Sequence, residues 1–122
     1  MSGTLIVIPT FNERENINPL LKSIFSQKIA VDVLILDDNS PDGTKKVVLK
    51  NKKKYKDQLH LINREKKEGL GKAYIEGFKW ALKKKYKKII QMDADLSHPP
   101  EKLIDIYNEL ELYDYVIGSR YI

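Results

Sequence analysis

Two aspartates one residue apart, Asp93 and Asp95, follow the short run Ile89-Ile90-Gln91-Met92 and precede Leu96-Ser97-His98-Pro99-Pro100. In a strand, residues two apart share a face, and at a strand's end both carboxylates can turn toward one cation. Hard divalent cations take carboxylate oxygens, and Mg²⁺ or Mn²⁺ commonly bridges protein carboxylates to substrate phosphates. An Asp-x-Asp at the C-terminal end of a buried strand therefore points to a metal–diphosphate site. The competing reading is that both aspartates cap a turn and the helix that follows. A motif this short does not decide between them, so the rest of the chain must.

Three other segments carry usable chemistry. Asp37 and Asp38 lead into Asn39-Ser40-Pro41-Asp42-Gly43-Thr44, where a carboxylate either bonds turn backbone or accepts from a base N–H or a ribose hydroxyl. Residues 64–73, REKKEGLGKA, combine Gly69 and Gly71, as close-approach glycines, with a helix start and Lys72. That combination suits an anion. It is neither G-x-G-x-x-G nor a Walker A sequence, which argues against a dinucleotide or P-loop site. Arg120 follows the last apolar run, where a guanidinium can chelate phosphate oxygens. His98 reads as a capping or supporting residue, and with His60 the only other histidine a His-rich zinc site is disfavoured.

The elements that must hold these residues alternate between short apolar runs and helical periodicity. Residues 4–8 form a β-branched run stopped by Pro9, as in a strand buried on both faces. A helix is predicted over residues 16–27, capped by Asn16, with Pro19 in its first turn and Leu20, Leu21, Ile24 and Phe25 as its buried stripe. A second strand covers residues 31–36. A helix over residues 44–55 turns Val47, Val48 and Tyr55 inward. A third strand spans residues 59–63 and is followed by a helix through Lys84, on which Ala73, Tyr74, Gly77, Phe78, Ala81 and Leu82 share a face. Strand four covers residues 88–92. A fourth helix starts near Pro99 or Pro100 and presents Leu103, Ile104, Tyr107 and Leu110, and strand five covers residues 115–117.

Five strands alternating with four helices indicate an α/β fold with a mainly parallel sheet and right-handed crossovers. In open sheets of this kind ligands sit beyond the carboxyl ends of the strands. The polar segments PTFNE, DDNSPDGT, DADLSHP and GSRY fall at those ends, which turns a weak Asp-x-Asp into a member of a site.

Composition bounds the rest. The chain has 122 residues, one domain's worth, with 42% hydrophobic and 32% charged residues, as in an ordinary globular protein. It has no cysteine, so disulfides and thiolate metal sites are excluded. No apolar run approaches the roughly 18 residues that span a bilayer, and the N-terminus lacks a basic signal region. The net charge of +5 comes mostly from lysine clusters at residues 50–56 and 83–88. The plain reading is solvated helix ends complementing the macrodipole. An anionic membrane surface or polyanionic substrate comes second. Nucleic acid is not expected, since no aromatic-interleaved basic strand accompanies the charge.

VIPTFNERENI, ILDDNSPDGT, EGLGKAYIEGF, MDADLSHPPEKL and IGSRY, in that order along essentially the whole chain, resemble family 2 glycosyltransferases. Within that family they most resemble dolichol-phosphate (polyprenol-phosphate) mannose synthases. The resemblance implies a GT-A fold and inverting transfer of mannose from GDP-mannose to a polyprenyl phosphate, peripheral at the cytoplasmic face of a membrane. It places Pro9, Phe11, Glu13, Leu36 and Asp38 around base and ribose, and Gly71, Lys72, Asp93 and Ala94 along the rest of the nucleotide sugar. Asp93, Asp95 and Ser97 become the ligands of Mg²⁺ or Mn²⁺, with Asp95 and Arg120 as catalytic residues. Phe11 stands where the family pattern often has tyrosine, and Ser97 where some relatives have glutamine.

Members of that family continue well past GSRY, so residues 1–122 correspond to the N-terminal nucleotide-sugar-binding part and are expected to transfer poorly alone. The family fold also inserts a later antiparallel strand between strands four and five, which would leave strand five here without its neighbour. Two alternatives stay open. One is a nucleotide-binding module without transfer, or a related transferase using UDP-glucose or another donor. The other is a haloacid-dehalogenase-type phosphatase, disfavoured because that chemistry needs its Asp-x-Asp on an early strand.

Overall fold

Every residue of β1 (Thr4–Thr10) and β2 (Asp32–Asp37) is buried, the fate of near-continuous aliphatic runs when helices cover both faces of a parallel sheet. The computed structural model describes residues 3–27, 29–65, 69–92 and 94, and the backbone of 115–117. Around the central pair lie α1 (Arg14–Ser26), α2 (Thr44–Tyr55), a 3₁₀ turn at Lys56–Gln58, β3 (Leu59–Asn63), α3 (Leu70–Lys83), β4 (Lys88–Gln91) and β5 (Tyr115–Ile117). The sheet order is β3-β2-β1-β4-β5, and every pairing is parallel. The chain steps outward from β1 through β2 to β3, then crosses back to the other side of β1 for β4. That reversal is the topological switch point at which open α/β sheets hold ligands.

The two faces separate as strand alternation requires. Ile6 and Ile8 join Ile17, Leu20, Leu21, Ile24, Val33, Ile35 and Val48 under α1 and α2. Leu5 and Val7 join Leu34, Leu36, Ala81 and Tyr86 under α3. Helix α3 lies so close to β1 that a Cβ on Gly77 would meet Val7 Cγ1 at 2.6 Å.

The structure corrects several expectations. Helix α1 starts at Arg14, two residues before the predicted cap, and Glu13 at the cap position makes no side-chain capping bond. Asn16, inside the first turn, instead donates from Nδ2 to Glu13 Oε2 at 2.8 Å. The orphan N–H groups at this helix start are met from another loop: Glu13 N donates to Thr44 Oγ1 at 3.2 Å and Arg14 N to Asp42 Oδ2 at 3.2 Å. Pro19 consequently falls in the second turn, where it has no N–H to give to the carbonyl four residues earlier.

Strand β2 is shifted one residue, to Asp32–Asp37, and β4 ends at Gln91. Asp32 is tolerated inside because Tyr86 Oη donates to its Oδ2 at 2.6 Å. Leu82, expected inward, is 68% exposed. Ala73, Gly77 and Ala81 define the sheet-facing stripe, and Leu82 lies about 100° around the helix from Ala81. Strand β5 does not lack a neighbour: it pairs directly with β4, with Ile89 opposite Tyr115, Ile90 opposite Val116 and Gln91 opposite Ile117. The N–H and C=O groups along the β4 edge need partners, and β5 supplies them. The predicted fourth helix lies outside the described residues.

Candidate functional site

Strands β1 and β2 deliver their loops to one edge in register, with Pro9 opposite Leu36 and Thr10 opposite Asp37. Asp38 N donates to Thr10 O at 3.0 Å, extending that ladder by one step. The acidic pair then divides its labour. Asp37 is fully buried, its Oδ1 accepting from Thr10 Oγ1 at 2.8 Å and from Ser40 Oγ at 2.6 Å, and its Oδ2 from Ser40 N at 3.0 Å. Its carboxylate is spent on folding the loop. Asp38 instead directs its carboxylate to Arg64, whose Nε lies 3.4 Å from Oδ1.

Arg64 is the residue that sequence reasoning passed over in favour of the glycines and Lys72. Its N–H donates to Asp37 O at 2.7 Å, and its side chain is only 7% exposed. The available signal was register: Asp37 pairs with Asn63, so the next residue on each strand, Asp38 and Arg64, must meet. A cation directly after an apolar strand and level with a carboxylate has a partner waiting.

The other loop residues lock the rim. Phe11 and Glu13 are half-buried, and Pro9 and Leu36 are fully covered, so these two form the floor. Asn12 takes φ +55° and donates its N–H to Ser40 Oγ at 2.8 Å. Burial opposes ionisation of Asp42, but bonds from the Thr44 hydroxyl and from the Arg14 and Thr44 N–H groups, with the Arg14 charge, outweigh it. The Asp42 carboxyl is therefore held below the usual carboxylate range. Residues 11–14 and 38–44 thus form one laced surface.

On the other face, Gly69 takes φ +98° before α3 begins, a conformation that favours glycine. Gly71 and Lys72 are exposed in the first turn. Lys72 lines an open cavity of about 260 Å³ together with Arg64, Ile75, Glu76 and Lys79, so it is brought to the same corner as Asp38. Met92 N donates to Val7 O at 3.1 Å, carrying the β4 ladder to the edge immediately before residue 93, and Ala94 is buried there. Asp93, Asp95, Ser97 and Arg120 lie outside the described residues. Among the described residues no group of three or more His, Cys, Asp or Glu side chains is placed to hold a metal. His60 sits at the opposite end of the sheet, its ring 5.0 Å from that of Trp80. Burial, then the Lys52 charge, lowers its pKa.

Known proteins share this pattern. The model of glycosyl transferase family 2 matches residues 5–122. Polyprenol monophosphomannose synthase of Mycolicibacterium smegmatis is 40% identical over 120 residues, which is 98% of this chain and 45% of that protein. Undecaprenyl-phosphate mannosyltransferase of Micrococcus luteus is 40% identical over 116 residues, 95% of this chain and 47% of that protein. The chain thus spans about half the length of these curated relatives. The fold matches that of the mannosyltransferase PcManGT from Pyrobaculum calidifontis, solved in complex with GDP-Man and Mn²⁺. That match has a TM-score of 0.73 at 24% identity and covers 83% of this chain and 30% of that one.

Proposed function

The chain belongs to glycosyl transferase family 2, and from that premise we propose that residues 1–122 are the donor-binding part of a mannosyltransferase. The reaction is transfer of mannose from GDP-mannose to a polyprenyl phosphate with inversion at the sugar carbon. The observation that carries the reading is the Asp38–Arg64 pair at the C-terminal ends of β2 and β3, with Asp37 already committed to its own loop. A carboxylate beside a guanidinium offers acceptor and donor side by side. Guanine presents the matching row: N1–H and N2–H₂ donors next to the O6 acceptor. Uracil presents one N–H between two carbonyls, and the second carbonyl would face the carboxylate. The names of the two 40% identical relatives, both polyprenyl-phosphate mannose enzymes, support the same sugar and acceptor.

In this reading Phe11 stacks on the base, Glu13 and the Pro9–Leu36 floor confine the ribose, and Gly71, Lys72 and Ala94 border the diphosphate and sugar. The ladder bond from Met92 N to Val7 O carries the chain to the strand edge at residue 92, which supports reading the carboxylates of Asp93 and Asp95, with Ser97, as the groups that would hold Mg²⁺ or Mn²⁺. Such an ion, when bound, offsets the charge of the departing diphosphate, an effect of several kcal/mol, roughly. The acceptor is a phosphate monoester, anionic near neutral pH, so no protein base is required. Its oxygen forms the bond to the anomeric carbon as the bond to GDP breaks, and Arg120 and Lys72 offset the repulsion between the two anions. Among the described residues no helix is long and apolar enough to cross a membrane. The lysine clusters support attachment at an anionic, cytoplasmic membrane surface.

Calorimetry with GDP and with UDP, each with and without Mn²⁺, tests the donor. Transfer from GDP-mannose to polyprenyl phosphate then tests the reaction. Tighter binding of UDP than of GDP would overturn the donor assignment.

A further inference from the structure

Helix α3 has two faces of opposite character. Toward the sheet its side chains are small, with Ala73, Gly77 and Ala81 buried. On the far side Ile75 and Leu82 are 54% and 68% exposed, more than any other large hydrophobic among the described residues. Lys72, Lys79 and Lys83, all exposed, share that side, because positions 72, 75, 79, 82 and 83 recur at helical spacing. The helix carries one acid, Glu76, whose Oε1 lies 4.0 Å from Arg64 Nε. Beyond the last turn the exposed Lys84, Lys85 and Lys87 continue the charge. The outer stripe therefore alternates lysine with bare aliphatic side chains and ends in a further cluster of lysines.

We propose that this stripe docks α3 lengthwise on an anionic lipid surface. Lysines reach headgroup phosphates while Ile75 and Leu82 enter the boundary of the acyl region, the division of labour seen in interfacial helices. The charge is complementary to acidic lipid, and each lysine near such a surface contributes favourably. A nucleic acid would use the cations but gain nothing from the aliphatic pair. The geometry also serves the site. Helix α3 follows the C-terminal end of β3 and leads to the start of β4, so its first turn lies at the Asp38–Arg64 edge and its lysine-rich end at the opposite pole. A bilayer lying along α3 meets that edge, and a lipid-borne phosphate reaches the mouth without leaving the surface. This last step rests on the proposed polyprenyl phosphate acceptor; the docking itself does not.

Sedimentation of the purified chain with phosphatidylcholine vesicles and with vesicles enriched in phosphatidylglycerol tests the proposal. Binding is expected only to the anionic vesicles, and is weakened by salt. Lys83→Gln should lower it about fivefold, and Leu82→Ser should lower it at unchanged net charge, both with unaltered GDP affinity. Three outcomes overturn the docking: no vesicle binding, equal binding to neutral vesicles, or full retention of binding in Leu82→Ser. The last, with heparin or RNA as an effective competitor, would mark a plain polyanion site. GDP titration in the presence of Mn²⁺ keeps the two readings apart. If GDP binds while vesicle binding fails, docking falls and the donor-binding reading stands. If vesicles bind but GDP does not, the reverse holds.

Discussion

At the scale of single residues, the division between Asp37 and Asp38 makes distinct predictions. Asp38→Asn should weaken GDP binding at least tenfold, because a charge-assisted acceptor is about twice as strong as a neutral one, while leaving the loop folded. Asp37→Asn should loosen the loop, since that carboxylate accepts from Thr10 and Ser40. Thermal melts and GDP titrations on both variants separate these effects, and equal GDP loss with equal destabilisation would refute the division. Asp95→Ala should abolish the dependence of GDP affinity on Mn²⁺; an unchanged Mn²⁺ effect would remove Asp95 from the metal site. Asp42 adds a pH signature. Its folded pKa lies below the ordinary value of 3.8, so its stabilising effect is present above that value and is lost as pH falls through the lower, folded one. Unfolding curves measured down through that range should converge for the wild type and Asp42→Asn.

At the scale of elements, the tightest constraint is the contact of α3 with β1. Gly77→Ala would place a methyl 2.6 Å from Val7 Cγ1, and overpacking of this kind costs roughly 1–3 kcal/mol. Denaturant unfolding should show that loss, and Gly77→Ala combined with Val7→Ala should recover part of it, because the second change removes the clashing methyl. The elements were largely legible. β1 and β2 are aliphatic runs ended by polar residues, α2 matched over Thr44–Tyr55, and β3 over Leu59–Asn63. The start of α1 was not, because its capping groups, Asp42 and Thr44, lie 28 and 31 residues away from the N–H groups they accept from. No local rule finds a cap that distant.

At the scale of the molecule, the site was legible as a set of polar loops at strand ends, since parallel topology forces those ends together. What stayed hidden was which member of each loop faces inward. Asp37 and Asp38 look alike in sequence, and only the pairing of β2 with β3 assigns Arg64 to one of them. Leu82 was misread for a different reason: it follows Ala81 in sequence, but a step of about 100° carries it away from the Ala73-Gly77-Ala81 stripe and onto the outer face of α3, where it is 68% exposed. A site assembled from β1, β2 and β3 at once couples ligand to the whole sheet. GDP at a hundred times its Kd should therefore raise global stability by about 2.7 kcal/mol. A melt shifted by UDP as strongly as by GDP would contradict the guanine assignment.

The lacing of residues 11–14 to residues 38–44 also sets an order of events during synthesis. The amides of Glu13 and Arg14 lack their acceptors in the fold until Asp42 and Thr44 have left the ribosome and β2 has paired with β1. A nascent chain that stops short of Thr44 should carry α1 with a frayed first turn. Deuterium uptake at those two amides would then report the birth of this laced corner, separately from the helix that follows it.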